Sequence, residues 1–145
     1  MLTNGMTTIL LCRAPAVPAD WDGTTIRVVS PSDEALSRLL QFTFSGCRSV
    51  RLGMPNDEAL NGHALWGRGL DFNQAHIVHD SVWRAEVDKV NSVHSQYAGP
   101  NEKIHYLFTF HDEMFEALAD SVEVVAFEGT LSSALLDAAR AVTVG

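Results

Sequence analysis

Ile104-His105-Tyr106-Leu107-Phe108-Thr109-Phe110-His111-Asp112-Glu113-Met114-Phe115-Glu116-Ala117-Leu118-Ala119 is the stretch whose reading decides the fold. Aromatic and β-branched side chains dominate its first half, and these suit a pleated, half-buried surface. A period of two puts Ile104, Tyr106, Phe108 and Phe110 on one face and His105, Leu107, Thr109 and His111 on the other. The first set reads as a core face. With Asp112-Glu113 as a two-residue turn, Met114 to Ala119 returns as the antiparallel partner, with His111 opposite Met114 and Thr109 opposite Glu116.

That register defines a candidate catalytic site. Glu116 then lies diagonally across from His111, and diagonal cross-strand neighbours are about 7 Å apart at the backbone. A carboxylate beside an imidazole can raise its pKa and fix its tautomer, which prepares a general acid or base. His111 is therefore expected as acid or base and Glu116 as its orienting carboxylate. Thr109 is expected as a hydroxyl partner, with Asp112 at the turn. The competing expectation is a solvated sheet face with an incidental ion pair.

Outward from the hairpin, Val122 to Phe127 reads as a further strand. Gly129 then introduces a helix with Leu131, Leu135, Ala138 and Val142 on one face. Upstream, Gln74 to Asp80 fits a strand and Ser81 caps a helix reaching about Val93, with Trp83, Val87 and Val90 as its apolar stripe. Thr7 to Arg13 and Thr25 to Ser30 fit strands on either side of a proline-marked loop over 14–25. Residues 31–40 fit a helix entered at Ser30-Pro31, yet Leu39 to Phe44 fits a strand equally well, with Arg48 to Met54 as hairpin partner across Ser45-Gly46. This order lacks βαβ alternation, so the expected fold is α+β, a mainly antiparallel sheet packed on one or two helices in a single domain over 1–145.

Residues 53–73 carry Gly53, Pro55, Asn56, Asn61, Gly62, Gly67 and Gly69 among aromatic and charged side chains. So long a connection in a compact domain is usually functional or disordered, and Leu60, Leu65, Trp66 and Leu70 argue for a packed one. Arg68 can bind a carboxylate or phosphate bidentately, with His63 and Trp66 as pocket wall. No GxGxxG or GxxxxGK[ST] phosphate loop is present, and no G-x-S-x-G elbow.

Six histidines raise the question of a metal. His105 and His111 share a strand face but stand about 20 Å apart at roughly 3.3 Å per residue, and His76 and His79 point to opposite faces. HExxH, HxH and CxxC are missing, so no metal ligand set is assigned and no cofactor follows. An ion gathered from distant positions such as His63, His111 and Glu116 stays an alternative.

The chain has 145 residues, 46% hydrophobic and 19% charged, with a net charge of -8. That charge sits in residues 71–145, with twelve acids and four bases, whereas residues 1–70 hold six of each. Nucleic-acid binding needs a basic footprint, so DNA and RNA are unexpected partners. The longest apolar run, Ile9 to Cys12, is far short of the roughly 20 residues of a membrane span. Two cysteines, Cys12 and Cys47, suit buried apolar positions in a reducing compartment, and no basic, apolar leader precedes Arg13. The expectation is a cytoplasmic protein with no membrane partner.

Two strings, Pro55-Asn56-Asp57-Glu58-Ala59-Leu60-Asn61-Gly62-His63-Ala64-Leu65 and Phe108-Thr109-Phe110-His111-Asp112-Glu113-Met114-Phe115-Glu116, resemble a family of short uncharacterised bacterial proteins. The likeness runs from about residue 50 to 127. Ala64 and Trp66 depart from the family pattern, which has proline and tyrosine there. The resemblance implies no activity and no cofactor.

Two functional expectations follow. One is a small-molecule pocket between the 53–73 segment and the polar face of the hairpin, serving a His/Glu acid-base enzyme on a polar or anionic substrate. The other is a regulatory or immunity-type protein, or a homodimer, that meets a basic partner through its acidic C-terminal half.

Overall fold

The computed structural model describes residues 1–14, 36–100 and 102–144; the expected loop beyond 14, the strand over 25–30 and residues 31–35 lie outside them. The elements are β1 (Leu2–Thr3), β2 (Thr7–Arg13), β3 (Ser37–Ser45), β4 (Ser49–Gly53), a 3-10 helix (Asp57–Gly62), β5 (Ala75–Val78), α1 (Val82–Asn91), β6 (Ile104–Thr109), β7 (Met114–Ala119), β8 (Ser121–Gly129) and α2 (Leu131–Val144). They form two four-stranded antiparallel sheets with helices, an α+β fold. The chain divides into two compact units, Met1–Thr43 with Glu123–Gly145, and Phe44–Val122.

In the first unit the sheet order is β1-β2-β3-β8. Asn4 shapes the β1–β2 turn: its side-chain oxygen accepts from the amides of Met6 and Thr7, and its amide nitrogen donates to the Val142 carbonyl on α2. Ile9, Ala138 and Val142 form the buried contact between β2 and α2. The buried stripe of α2 runs through Ala134, Ala138 and Val142, and Leu135, expected on it, is exposed. Residues 37–40 are strand, not helix. Leu39 is fully buried there, and the strand gains ladder partners on both sides.

The second unit holds the sheet β4-β7-β6-β5. β4 is not the hairpin partner of β3. It pairs with β7, with Arg51 opposite Glu116 and Leu52 opposite Phe115. The break falls at Gly46, whose φ of 64° only glycine adopts freely. Beside it the Asp120 amide donates to the Ser45 carbonyl and the Arg48 amide to that of Leu118.

The β6–β7 register pairs Thr109 with Met114, Leu107 with Glu116 and His105 with Leu118. This differs by two residues from the expected register, because a four-residue connection, Phe110 to Glu113, replaces the Asp-Glu turn. It is closed by the Phe110 amide donating to the Glu113 carbonyl at 2.9 Å. Asp-Glu does not readily take the positive φ values of a two-residue hairpin turn. A slip of two keeps every side chain on its face but changes its partners.

Both faces of this sheet are covered. On one, Tyr106, Phe108 and Phe115 pack edge-on or tilted around buried Phe44. On the other, Leu107 and Met114 pack under Leu60 and Leu70, with Leu65 and Val78 at the margin. The face expected to be solvated is therefore a second core, and the 53–73 segment is its lid. Leu60 and Leu70 anchor that segment; Trp66, expected there, lies half-exposed against Phe72.

Candidate functional site

The lid of the second unit begins at Asn56, whose side chain accepts from the Ala59 amide and starts the 3-10 helix. The next residue, Asp57, meets His111 twice. Its amide donates to the His111 carbonyl at 3.0 Å, and its carboxylate accepts from His111 Nδ1. The two strings that carry the family resemblance thus touch each other here. The hydrogen bond from Asp57 raises the His111 pKa above its ordinary value, with further help from the charges of Asp57, Asp112 and Glu58. His111 is exposed, and Asp112 lies at the open tip, 4.0 Å from its other ring nitrogen.

His111 and Glu116 are consequently not a pair. Glu116 accepts from His105 Nε2 at 2.8 Å, as the two-residue register shift requires. Thr109 is no partner of His111 either. Its hydroxyl donates to the Asp71 carbonyl at 2.8 Å and accepts from the Gln74 amide at 3.0 Å, latching the end of the lid to β6. His63 closes the 3-10 helix, and its Nδ1 accepts from the Leu65 amide. Among the described residues no three His, Cys, Asp or Glu side chains are grouped to hold a metal ion. His111 and Glu116, offered for a dispersed ion, are instead bound to Asp57 and His105.

Around His105 the sequence left a network unread. Its ring is buried and packs edge-to-face with Trp83, the ring centres 5.1 Å apart. Nδ1 lies 2.7 Å from Ser81 Oγ, and Ser81 Oγ accepts from the Arg84 amide as the N-cap of α1. Arg51 stacks over Trp83 at 4.2 Å and stands 3.9 Å from Glu116 and 4.0 Å from Glu86. Buried polar groups in such a sheet are tolerated when each finds a partner, and here each does. The legible signal was the parity that placed His105 on the same face as Glu116.

Arg68 lies elsewhere on the lid. With Leu65, Gly69, Leu70, the β5 residues His76 to Val78 and His79 and Asp80 just beyond the strand, it lines a cavity of about 300 Å³. His76 Nε2 accepts from the Asp71 amide, so in the neutral ring the proton sits on Nδ1. That Nδ1 is buried and has no hydrogen-bond partner among the described residues. The structure thus brings Arg68 together with two histidines, His76 and His79. His111, His63 and Trp66 do not line this cavity.

No protein-family model matches the chain, and neither a curated protein nor a solved structure does. No helix among the described residues is long and apolar enough to cross a membrane.

Proposed function

We propose that this protein binds a small anionic molecule in the cavity between the lid and β5. The observation that carries this reading is the convergence of Arg68, His76 and His79 on one cavity. Arg68, at the rim, has no ion pair among the described residues and supplies the charge, while Leu65, Leu70 and Val78 supply an apolar wall. A few convergent polar groups on an apolar cavity of this size match the usual make-up of a small-molecule site.

Nuclear magnetic resonance titration with acetate, succinate and inorganic phosphate tests it. Saturable shifts of the His76 ring signals, weakened at least about tenfold by Arg68→Ala, are expected from losing a charged contact of about 1.4 kcal/mol or more. Shifts that do not saturate, or that Arg68→Ala leaves unchanged, overturn the reading.

A further inference from the structure

Ser81, His105 and Glu116 form a chain of a hydroxyl, an imidazole and a carboxylate, with contacts of 2.7 Å and 2.8 Å. A carboxylate can only accept, so Glu116 takes the proton on Nε2. In the neutral ring Nδ1 then carries the lone pair, and the Ser81 hydroxyl must donate to it. We infer that Ser81 is a nucleophile for acyl transfer, with His105 as its general base and Glu116 holding the imidazole in the required tautomer. The inference is independent of any ligand in the Arg68 cavity.

Three further observations agree. Ser81 caps α1 with only His79 and Asp80 between it and β5, and Asp80 has a φ of 50°, so the serine stands on a sharp strand-to-helix turn. A nucleophile displayed in this way has the free amides of the helix start beside it. The Arg84 and Ala85 amides are satisfied by Ser81 itself, which leaves those of Val82 and Trp83, the first two of the helix, to stabilise an oxyanion. Finally, the residues on either side of Ser81 line two cavities, His79 and Asp80 one and Trp83 the other; Ser81 and His105 are themselves 4% and 3% exposed and line neither, so an ester has to reach Oγ from one of these cavities past its wall. The ring presents Nδ1 rather than Nε2 to the serine, and either nitrogen can serve as base when the other is held by a carboxylate.

The step balances without a cofactor. Ser81 Oγ bonds to the carbonyl carbon of an ester while its proton passes to His105 Nδ1. The tetrahedral oxyanion collapses, the carbon–oxygen bond to the alcohol breaks, and His105 returns the proton to the departing alkoxide. Water then bonds to the acyl carbon while its proton passes to the same nitrogen; the carbon–oxygen bond to Ser81 breaks, the carboxylic acid leaves, and His105 returns the proton to Ser81 Oγ.

A fluorophosphonate probe tests this on the intact protein, read by mass spectrometry with peptide mapping. The expected result is one adduct, on Ser81. His105→Gln should slow labelling on the order of 10²-fold, the contribution of a general base. Absence of an adduct at Ser81 in the folded wild-type protein overturns the inference without any variant. Circular dichroism of His105→Gln separates slowed chemistry from unfolding. If that variant does not fold, the wild-type site mapping decides.

Discussion

Glu116 Oε2 lies 2.8 Å from His105 Nε2, so the carboxylate on β7 serves a histidine near the start of β6 and not the one past its end. Leu107 is directly opposite Glu116, and His105 is its diagonal neighbour. His105 is 3% exposed, so water cannot replace the carboxylate. Glu116→Leu should therefore leave a buried donor unmet and cost about 1–3 kcal/mol. Glu116→Gln keeps an acceptor oxygen and should cost less. Urea unfolding of the two variants checks the difference, and equal losses would show that the hydrogen bond is not what matters at this position.

Asp57 and His111 make a titration prediction. The bonded carboxylate raises the His111 pKa, so the folded protein holds the proton to higher pH than the unfolded chain. A raised folded-state pKa gives stability that is complete below the unfolded value, about 6.5, and is lost as pH rises through the folded one. The expected behaviour is a His111 titration midpoint above 6.5 by nuclear magnetic resonance, falling toward it in Asp57→Asn. Because His111 is exposed, the accompanying change in stability should shrink in high salt.

Thr109 tests whether the lid is latched as described. Its buried hydroxyl joins the Asp71 carbonyl and the Gln74 amide, and its own amide donates to the Gln74 carbonyl. Thr109→Val keeps the shape but strands both backbone groups, at an expected cost of about 1–3 kcal/mol. Thr109→Ser should recover most of the loss. Hydrogen exchange offers a second reading: the Gln74 amide should lose protection in the valine variant and keep it in the serine variant.

Most of the described strands, both helices and the Ser81 cap were legible because each is specified locally, by alternation, by a 3.6 period or by a capping side chain, whereas β1 was not read and residues 37–44 fitted helix and strand alike. The α+β class followed from their order. What could not be read was partnership. The β6–β7 register turns on a four-residue connection that looks, as Asp112-Glu113, like a shorter one, and two residues of slip moved Glu116 from His111 to His105. The strand at Ser49–Gly53 was visible, but nothing local says that it pairs with β7, nearly seventy residues on, rather than with β3. Sequence alternation also cannot distinguish a solvated polar face from one covered by a distant lid, so His105 and Thr109 appeared exposed when they are buried. Arg68 was recognised as an anion anchor from its chemistry. Its companions His76 and His79 were not, because parity separates them and only the lid brings its cavity to both.

Gly46 gives the last prediction, since the chain leaves β3 there and enters β4. A Cβ at this position would collide with the Asp120 carboxylate, and the φ of 64° disfavours any other L residue. Two hydrogen bonds hold Asp120 in this position. Its amide donates to the Ser45 carbonyl, and its carboxylate accepts from Lys103 Nζ at 2.5 Å. Gly46→Ala should thus cost more than the roughly 1–2 kcal/mol of a left-handed residue alone. Asp120→Ala removes the carboxylate, so in that background the same glycine change should cost about the backbone amount only, although the Asp120 Cβ remains at 3.2 Å. The double-mutant cycle, measured by denaturant unfolding, isolates the collision as the difference between the two values. A coupling near zero would mean that Asp120 swings clear, and that glycine is required at position 46 by its backbone conformation alone.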